Sequence, residues 1–339
     1  MQIDINALRL VEKEKGINLE VLLRTIEDAL LKAYFNQPGA MEKARVEIDE
    51  VTGNVTVIAC EQDENGEPIG EFDDTPINFS RIGTTIVRSI IKQRIFEVED
   101  NKVIGEYKHT IGTVISGVIQ QGGIDNPNVL VDIGGVEAMI LPSEQVPNEK
   151  YNHGDRIKAY VLDVTKGNKG PRILLSRTHP ELVRQLFKLE VPDIQKGLVE
   201  IVAVAREAGH RSKIAVRATQ PNVNAVGTCI GPMFRRVKNV IDELGGEKID
   251  IIDYSEDPTR FVANALSPAR VAAVNVISEE EKKARVIVPD FQLSLAIGKE
   301  AQNVRLAARL TGWKIDIQSD IQETGDVQTS LVSQKDKIE

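Results

Sequence analysis

At 339 residues, with 41% hydrophobic and 27% charged side chains, the chain has the make-up of two to four globular domains. No apolar run approaches the roughly 20 residues of a bilayer span. The opening "MQIDINALRLVEKEKG" has no basic stretch followed by an apolar one, so a membrane partner and a secretory leader are excluded and a cytoplasmic protein is expected. Cys60, Cys229 and the four histidines are scattered, so the sequence points to no catalytic cluster, no metal and no cofactor. The formal net charge of −9 is unevenly spread: residues 1–110 hold 13 Lys and Arg against 21 Asp and Glu, while residues 111–320 hold 27 against 26. An acidic first third and a neutral remainder with room for local basic faces suggest two different partners; a soluble acidic surface explains the same numbers.

From Asn18 onward, Leu19, Leu22, Leu23, Ile26, Leu30 and Ala33 follow helical spacing and predict an amphipathic helix. "ARVEIDEVTGNVTVIAC" alternates: Val46 and Ile48, a turn at Thr52–Gly53, then Val55, Val57 and Ala59. That is a β-hairpin, and Asn65–Gly66 signals a further turn. "FSRIGTTIVRSIIKQRIFEVED" returns to helical spacing up to about Asp100. Residues 1–108 therefore read as an acidic helix–hairpin–helix domain with no small-molecule chemistry, suited to docking on a partner.

Residues 109–178 change character. Short alternating strands are separated by turns at Gly122–Gly123, Gly134–Gly135 and Gly167–Gly170, and about five strands in under 70 residues predict a small closed barrel of the OB-fold kind. The order "VLVDIGGVEAMI…HGDRIKAYVLDV…RILLSR" resembles the OB-type RNA-binding domain named after a small-subunit ribosomal protein. Barrels of this kind grip single strands by stacking bases on aromatics, yet the strands that would do so here carry Val129, Leu130 and Val131. Lys158, Arg172 and Arg177 are secondary candidates for phosphate contact, with ordinary solvated charge as the alternative.

From His179 the chain repeats itself. "IGPMFRRVKNVIDELGGEKIDII" lies over "IGKEAQNVRLAARLTGWKIDIQ", and each copy of about 67 residues combines strands and helices, which makes it a small α+β domain rather than a solenoid unit. The copies span 179–253 and 254–320. The polar stretch 321–339 has no apolar period and is expected to be a disordered tail. Val237, Val240, Ile241 and Leu244 form a core face, and Trp313, which stands where the first copy has Glu247, is expected to pack between domains.

The order α-β-β-α-α-β with Ile-Gly-x-x between the paired helices resembles a prokaryotic, type II KH domain, so the fold class is multidomain α+β with two KH domains in tandem. Glycine in such a turn lets the chain approach a sugar-phosphate backbone, and the following helix points free N–H groups and its positive dipole end at the phosphates. The candidate RNA-binding residues are Gly231, Pro232, Met233 and Phe234 of the first turn, with Arg235, Arg236 and Lys238 on the helix behind it. In the second copy they are Gly298, Lys299, Glu300 and Ala301, with Asn303 and Arg305. His210 and Arg211, in the hairpin of the first copy, are secondary candidates.

An acidic helical unit, an OB-type barrel and two KH domains together resemble the NusA family of bacterial transcription elongation, termination and antitermination factors, in its actinobacterial-like form. The resemblance covers about residues 1–320 and includes "VEIVAVAREAGHRSKIAVR" and "VIVPDFQLSLAIGKE". It implies an RNA polymerase partner for the N-terminal domain, single-stranded nascent RNA for the barrel and KH domains, contact with other antitermination factors, and a monomer. The family pattern has glycine at the fourth turn position, where this chain has Phe234 and Ala301. Those residues are strained if the position needs positive φ and unstrained if it begins the helix. Phe234 then either obstructs RNA, stacks on a base or partner, or packs on its own domain. A rival reading is an RNA-binding cap or accessory subunit of an RNA-processing exonuclease; a catalytic version would need clustered carboxylates that are not here.

Overall fold

The computed structural model describes residues 1–62, 68–120, 126–167 and 170–321. The turns expected at Asn65–Gly66 and Gly122–Gly123, and the tail beyond Ile321, lie outside these residues. The described chain divides into two compact units, Met1–His109 with Thr165–Pro171, and Thr110–Val164 with the chain from Arg172 onward.

The first unit starts with a helix that the apolar spacing does not announce, α1 (Ile5–Lys15), capped by Asp4, whose carboxylate accepts from the Ala7 N–H at 3.0 Å. It ends on Gly16 in the left-handed conformation, and Asn18 then caps α2 (Leu19–Phe35) by accepting from the Val21 N–H. Strands β1 (Ala44–Ile48), β2 (Val55–Gln62) and β3 (Pro68–Asp73) form one antiparallel sheet, a strand more than the expected hairpin. The register Val46↔Val57 and Ile48↔Val55 sets these four side chains on the face that meets the helices. The last helix, α3 (Phe79–Lys108), runs beyond Asp100. Leu22, Ile26, Leu30, Val57 and Phe79 make the centre of the core, each at most 1% exposed and contributing roughly 2 kcal/mol by burial.

The second unit begins with a closed five-stranded barrel of β4 (Val114–Gln120), β5 (Val129–Asp132), β6 (Glu137–Ile140), β7 (Arg156–Gly167) and β8 (Gly170–Ser176), in the order β4-β5-β6-β8-β7. Alternate residues such as Ile157, Ala159 and Val161 fill its interior. The Asp132 carboxylate accepts from the Gly134 and Gly135 N–H groups at 3.0 and 2.7 Å, so it fastens a turn.

The repeat then appears as two αββααβ domains. The first has α4 (Pro180–Glu190), a short α5 (Pro192–Gln195), β9 (Val199–Glu207), β10 (Arg211–Ala218), α6 (Ala225–Ile230), α7 (Arg235–Glu243) and β11 (Lys248–Asp253). The second has α8 (Pro258–Ala265), β12 (Ala273–Ser278), β13 (Lys283–Val288), α9 (Leu293–Ile297), α10 (Gln302–Thr311) and β14 (Lys314–Ser319). In each, the middle strand pairs antiparallel with the one before it and parallel with the last.

Strand alternation joins the two domains. Ile214 and Val216 point into the core built with the first domain's own helices. Ala215 between them points the other way, and with Ala205 and Ile252 it shares a core with Phe261, Val262, Leu306 and Leu310 of the second domain. Small residues on that face let α8 and α10 pack onto the sheet. Trp313 packs against the same shared cluster, as its position in the repeat predicts.

Candidate nucleic-acid interface

Both turns take the same unusual backbone path. Gly231 (φ 74, ψ 172) and Gly298 (φ 77, ψ 169) begin them in a region that only glycine enters without strain. The next-but-one residues and their successors are left-handed: Met233 at φ 49 and Phe234 at φ 60, Glu300 at φ 52 and Ala301 at φ 59. The fourth position thus needs positive φ in both copies and is not yet helix. Phe234 and Ala301 carry strain of about 1 kcal/mol or more each, and α7 and α10 begin one residue later.

The first glycine of each turn is required by the residue five positions ahead. A Cβ on Gly231 would lie 2.6 Å from Cγ of Arg236, and one on Gly298 would lie 2.8 Å from the backbone nitrogen of Asn303. Arg236 Nη1 donates to the Thr228 carbonyl at 2.7 Å and lies 3.4 Å from the Asp193 carboxylate. Asn303 Nδ2 donates to the carbonyls of Leu266, Leu295 and Ala296. Thr228 and Leu295 are equivalent in the repeat, so the same staple from second helix to first closes both turns, made by different side chains.

These positions sort the sequence candidates. Pro232, Met233, Phe234, Arg235 and Lys238 are exposed around the first turn, with Met233 and Phe234 exposed by 90% and 68%. Lys299 and Glu300 project from the second turn with side chains 92% and 82% exposed, forming a loose ion pair at 4.0 Å. Arg305 is accessible but tied to Glu207 of the first KH domain by a 2.6 Å hydrogen bond. His210 is exposed, while Arg211 is half-buried and clamps Asp250 with two bonds of 2.7 and 2.8 Å. Arg172 is exposed on β8, and Lys158 lies 3.3 Å from Glu243.

Two candidates are corrected by burial. Asn303 is 3% exposed and its amide is committed to three carbonyls. Arg177 is 1% exposed: it donates to Glu149 at 3.0 Å, to the Lys158 carbonyl at 2.7 Å and to the Glu243 carbonyl at 2.8 Å. Neither can reach a phosphate without breaking the domain, so both support the surface from beneath.

A cleft of about 540 Å³ lies between the domains, lined by His210, Arg211 and Lys248 from the first and by Lys299, Gln302 and Asn303 from the second. The Asn303 Oδ1 is buried and accepts no hydrogen bond from the described protein atoms. Lys248 and Gln302 were not visible as candidates in the sequence. Lys248 reaches Arg211 only through the parallel pairing of β10 and β11, a contact without a local signature.

Comparison with known proteins agrees with this architecture along the chain. The family descriptions that match are "NusA N-terminal domain" over residues 5–62, "S1 RNA binding domain" over 108–176, "NusA-like first KH domain" over 177–254 and "NusA-like second KH domain" over 258–324. The protein called transcription termination/antitermination protein NusA in Mycobacterium tuberculosis is 56% identical over 326 residues, covering 94% of each chain. The chain belongs to the NusA family. Its NusA relatives in Bacillus subtilis and Thermus thermophilus are 44% and 39% identical, covering 93% and 96% of this chain and 90% and 92% of their own. NusA membership covers the OB-type barrel and both KH domains in the order expected.

Proposed function

We propose that this NusA-family chain is a non-enzymatic transcription factor of the cytoplasm, acting in pausing, intrinsic termination and antitermination. In this reading the N-terminal unit docks on RNA polymerase, and the barrel and KH domains hold single-stranded nascent RNA as a monomer that also meets other antitermination factors. The observation that carries it is the pair of stapled turns, each opening a helix N-terminus beside exposed cations: Arg235 and Lys238 in one, Lys299 in the other. Helix N-termini and lysine or arginine charges together favour phosphates. The cleft between the domains adds Arg211 and Lys248 of the first to Lys299 beside the second turn. Tethering beside the polymerase would raise the local RNA concentration, so individually weak turns suffice.

No helix among the described residues is long and apolar enough to cross a membrane. The N-terminal match to NusA favours the polymerase reading over an exonuclease cap. Titration of the full chain with an unstructured RNA oligonucleotide across a salt series tests the RNA contact. Arg235→Ala, Lys238→Ala and Lys299→Ala should each weaken binding and lower the salt slope by about 0.7. Unchanged slopes in all three would remove the turns from the interface. A pull-down that recovers exonuclease and no RNA polymerase would replace the transcription reading with the rival.

A further inference from the structure

We propose that the first KH turn binds single-stranded RNA by stacking a nucleobase on Phe234, in place of the close backbone approach that a glycine there would allow. The proposal rests on the RNA-binding reading above and assigns a role that glycine cannot perform. Its starting point is the placement of the ring. Phe234 is 68% exposed, and no aromatic or cation–π contact among the described residues involves it. Most of the residue is therefore open to solvent and available to a ligand.

The backbone holds the ring in that position at a conformational cost, since a side-chain-bearing residue at φ 60, ψ 15 is disfavoured. The strained turn lifts Pro232, Met233 and Phe234 into one exposed apolar tip. Arg235 follows at the first position of α7, and Lys238 lies one turn further along, both exposed. A ligand that satisfies this set must present a flat apolar face and a negative charge within a few ångströms of each other. A nucleotide does so in every residue of a strand, and base–aromatic stacking tolerates any base.

The second copy supplies an internal contrast. Its tip is Lys299, Glu300 and Ala301, with the same left-handed backbone but no ring. Stacking is thus confined to the first turn, and the second is left to contact phosphates through Lys299. The cost of a phenylalanine is that its Cβ and ring fill the space where the RNA backbone would approach a glycine, so the two modes exclude each other at this position.

The test uses the full chain and an unstructured RNA oligonucleotide carrying 2-aminopurine, whose fluorescence falls on stacking. Phe234→Gly should weaken binding on the order of tenfold and abolish the quenching, with the salt slope unchanged because no charge is removed. Phe234→Tyr and Phe234→Trp should retain both affinity and quenching, and Phe234→Leu should lose the quenching. Ala301→Gly, which has no ring to lose, should bind as well as the parent or better. Tighter binding by Phe234→Gly would overturn stacking and identify the ring as an obstruction, and equal binding would overturn both stacking and obstruction. Unchanged RNA affinity with weakened retention of RNA polymerase would assign the tip to a protein partner and overturn stacking as well. Failure of the parent chain to bind RNA at any salt would instead sink the RNA-binding reading itself, a distinguishable result.

Discussion

Glu207, the last residue of β9, accepts hydrogen bonds from Arg305 at 2.6 Å and from Gln302 at 2.9 Å, so one carboxylate of the first KH domain holds two side chains from the post-turn helix of the second. Arg309 lies 3.9 Å from the same carboxylate. The bond from Arg305, foremost, holds the Glu207 pKa below the usual glutamate range, with Gln302 and the nearby charge of Arg309 adding to it. A carboxylate whose folded pKa is depressed contributes stability that is complete above its unfolded pKa. That stability is lost as pH falls through the lower, folded value. The seam between the KH domains should therefore loosen in acid, starting below the ordinary glutamate range. Glu207→Gln should remove this acid-dependent part and cost about 0.5 kcal/mol at neutral pH. Trp313, the sole tryptophan, packs on the shared core and reports the seam by its fluorescence. Parallel acid profiles for parent and variant would exclude Glu207 as the titrating group.

The two turn glycines should not be equally sensitive. Both occupy a conformation that costs a residue with a side chain about 1–3 kcal/mol. The obstacle at Gly231 is the side chain of Arg236 from its Cβ outward, which a change of rotamer relieves in part; at Gly298 it is the backbone nitrogen and Cβ of Asn303, which no rotamer moves. Gly231→Ala is expected to cost about 1–2 kcal/mol and to free Arg236 from Thr228. Gly298→Ala should cost about 3 kcal/mol and dislodge Asn303 from its three carbonyls. Hydrogen exchange at α6–α7 and at α9–α10 separates the two effects. Equal loss of protection in the two copies would show that the nearest atom's mobility does not decide the cost.

What could be read from residues alone followed from periodicity and repetition. The stripe of α2, the alternation of β1 and β2, the barrel's strand spacing and the duplicated turn are all patterns within a short window. The opening helix escaped because only Ile5 and Leu8 are buried along it, too few to draw a stripe. The turn residues were found, but their backbone was not: a fourth position that begins the helix and one that is left-handed look the same in sequence. Arg177 and Asn303 read as surface groups because partners that bury them lie far along the chain. Glu149 and Glu243 are 28 and 66 residues from Arg177, and Leu266 is 37 from Asn303. A long-range contact leaves no local mark, so such residues are misread as contact groups when they are the supports beneath.

Arg177 gives the sharpest way to separate support from contact. Its guanidinium ties the barrel, through Glu149 and the Lys158 carbonyl, to the end of α7 at Glu243. Removing it takes the guanidinium from the Glu149 carboxylate, which keeps only the Tyr151 hydroxyl, and a donor from the Lys158 and Glu243 carbonyls, so Arg177→Ala is expected to cost about 3–5 kcal/mol. Arg177→Lys should recover little, because a single ammonium cannot reproduce the planar fork that meets three acceptors at once. Arg172→Ala, on the exposed face of β8, should change stability by less than about 0.5 kcal/mol. Thermal unfolding of the three variants reads the ranking directly. If Arg177 were instead a phosphate ligand, Arg177→Ala would leave stability intact and flatten the salt dependence of RNA binding, which is the opposite pattern on both measurements.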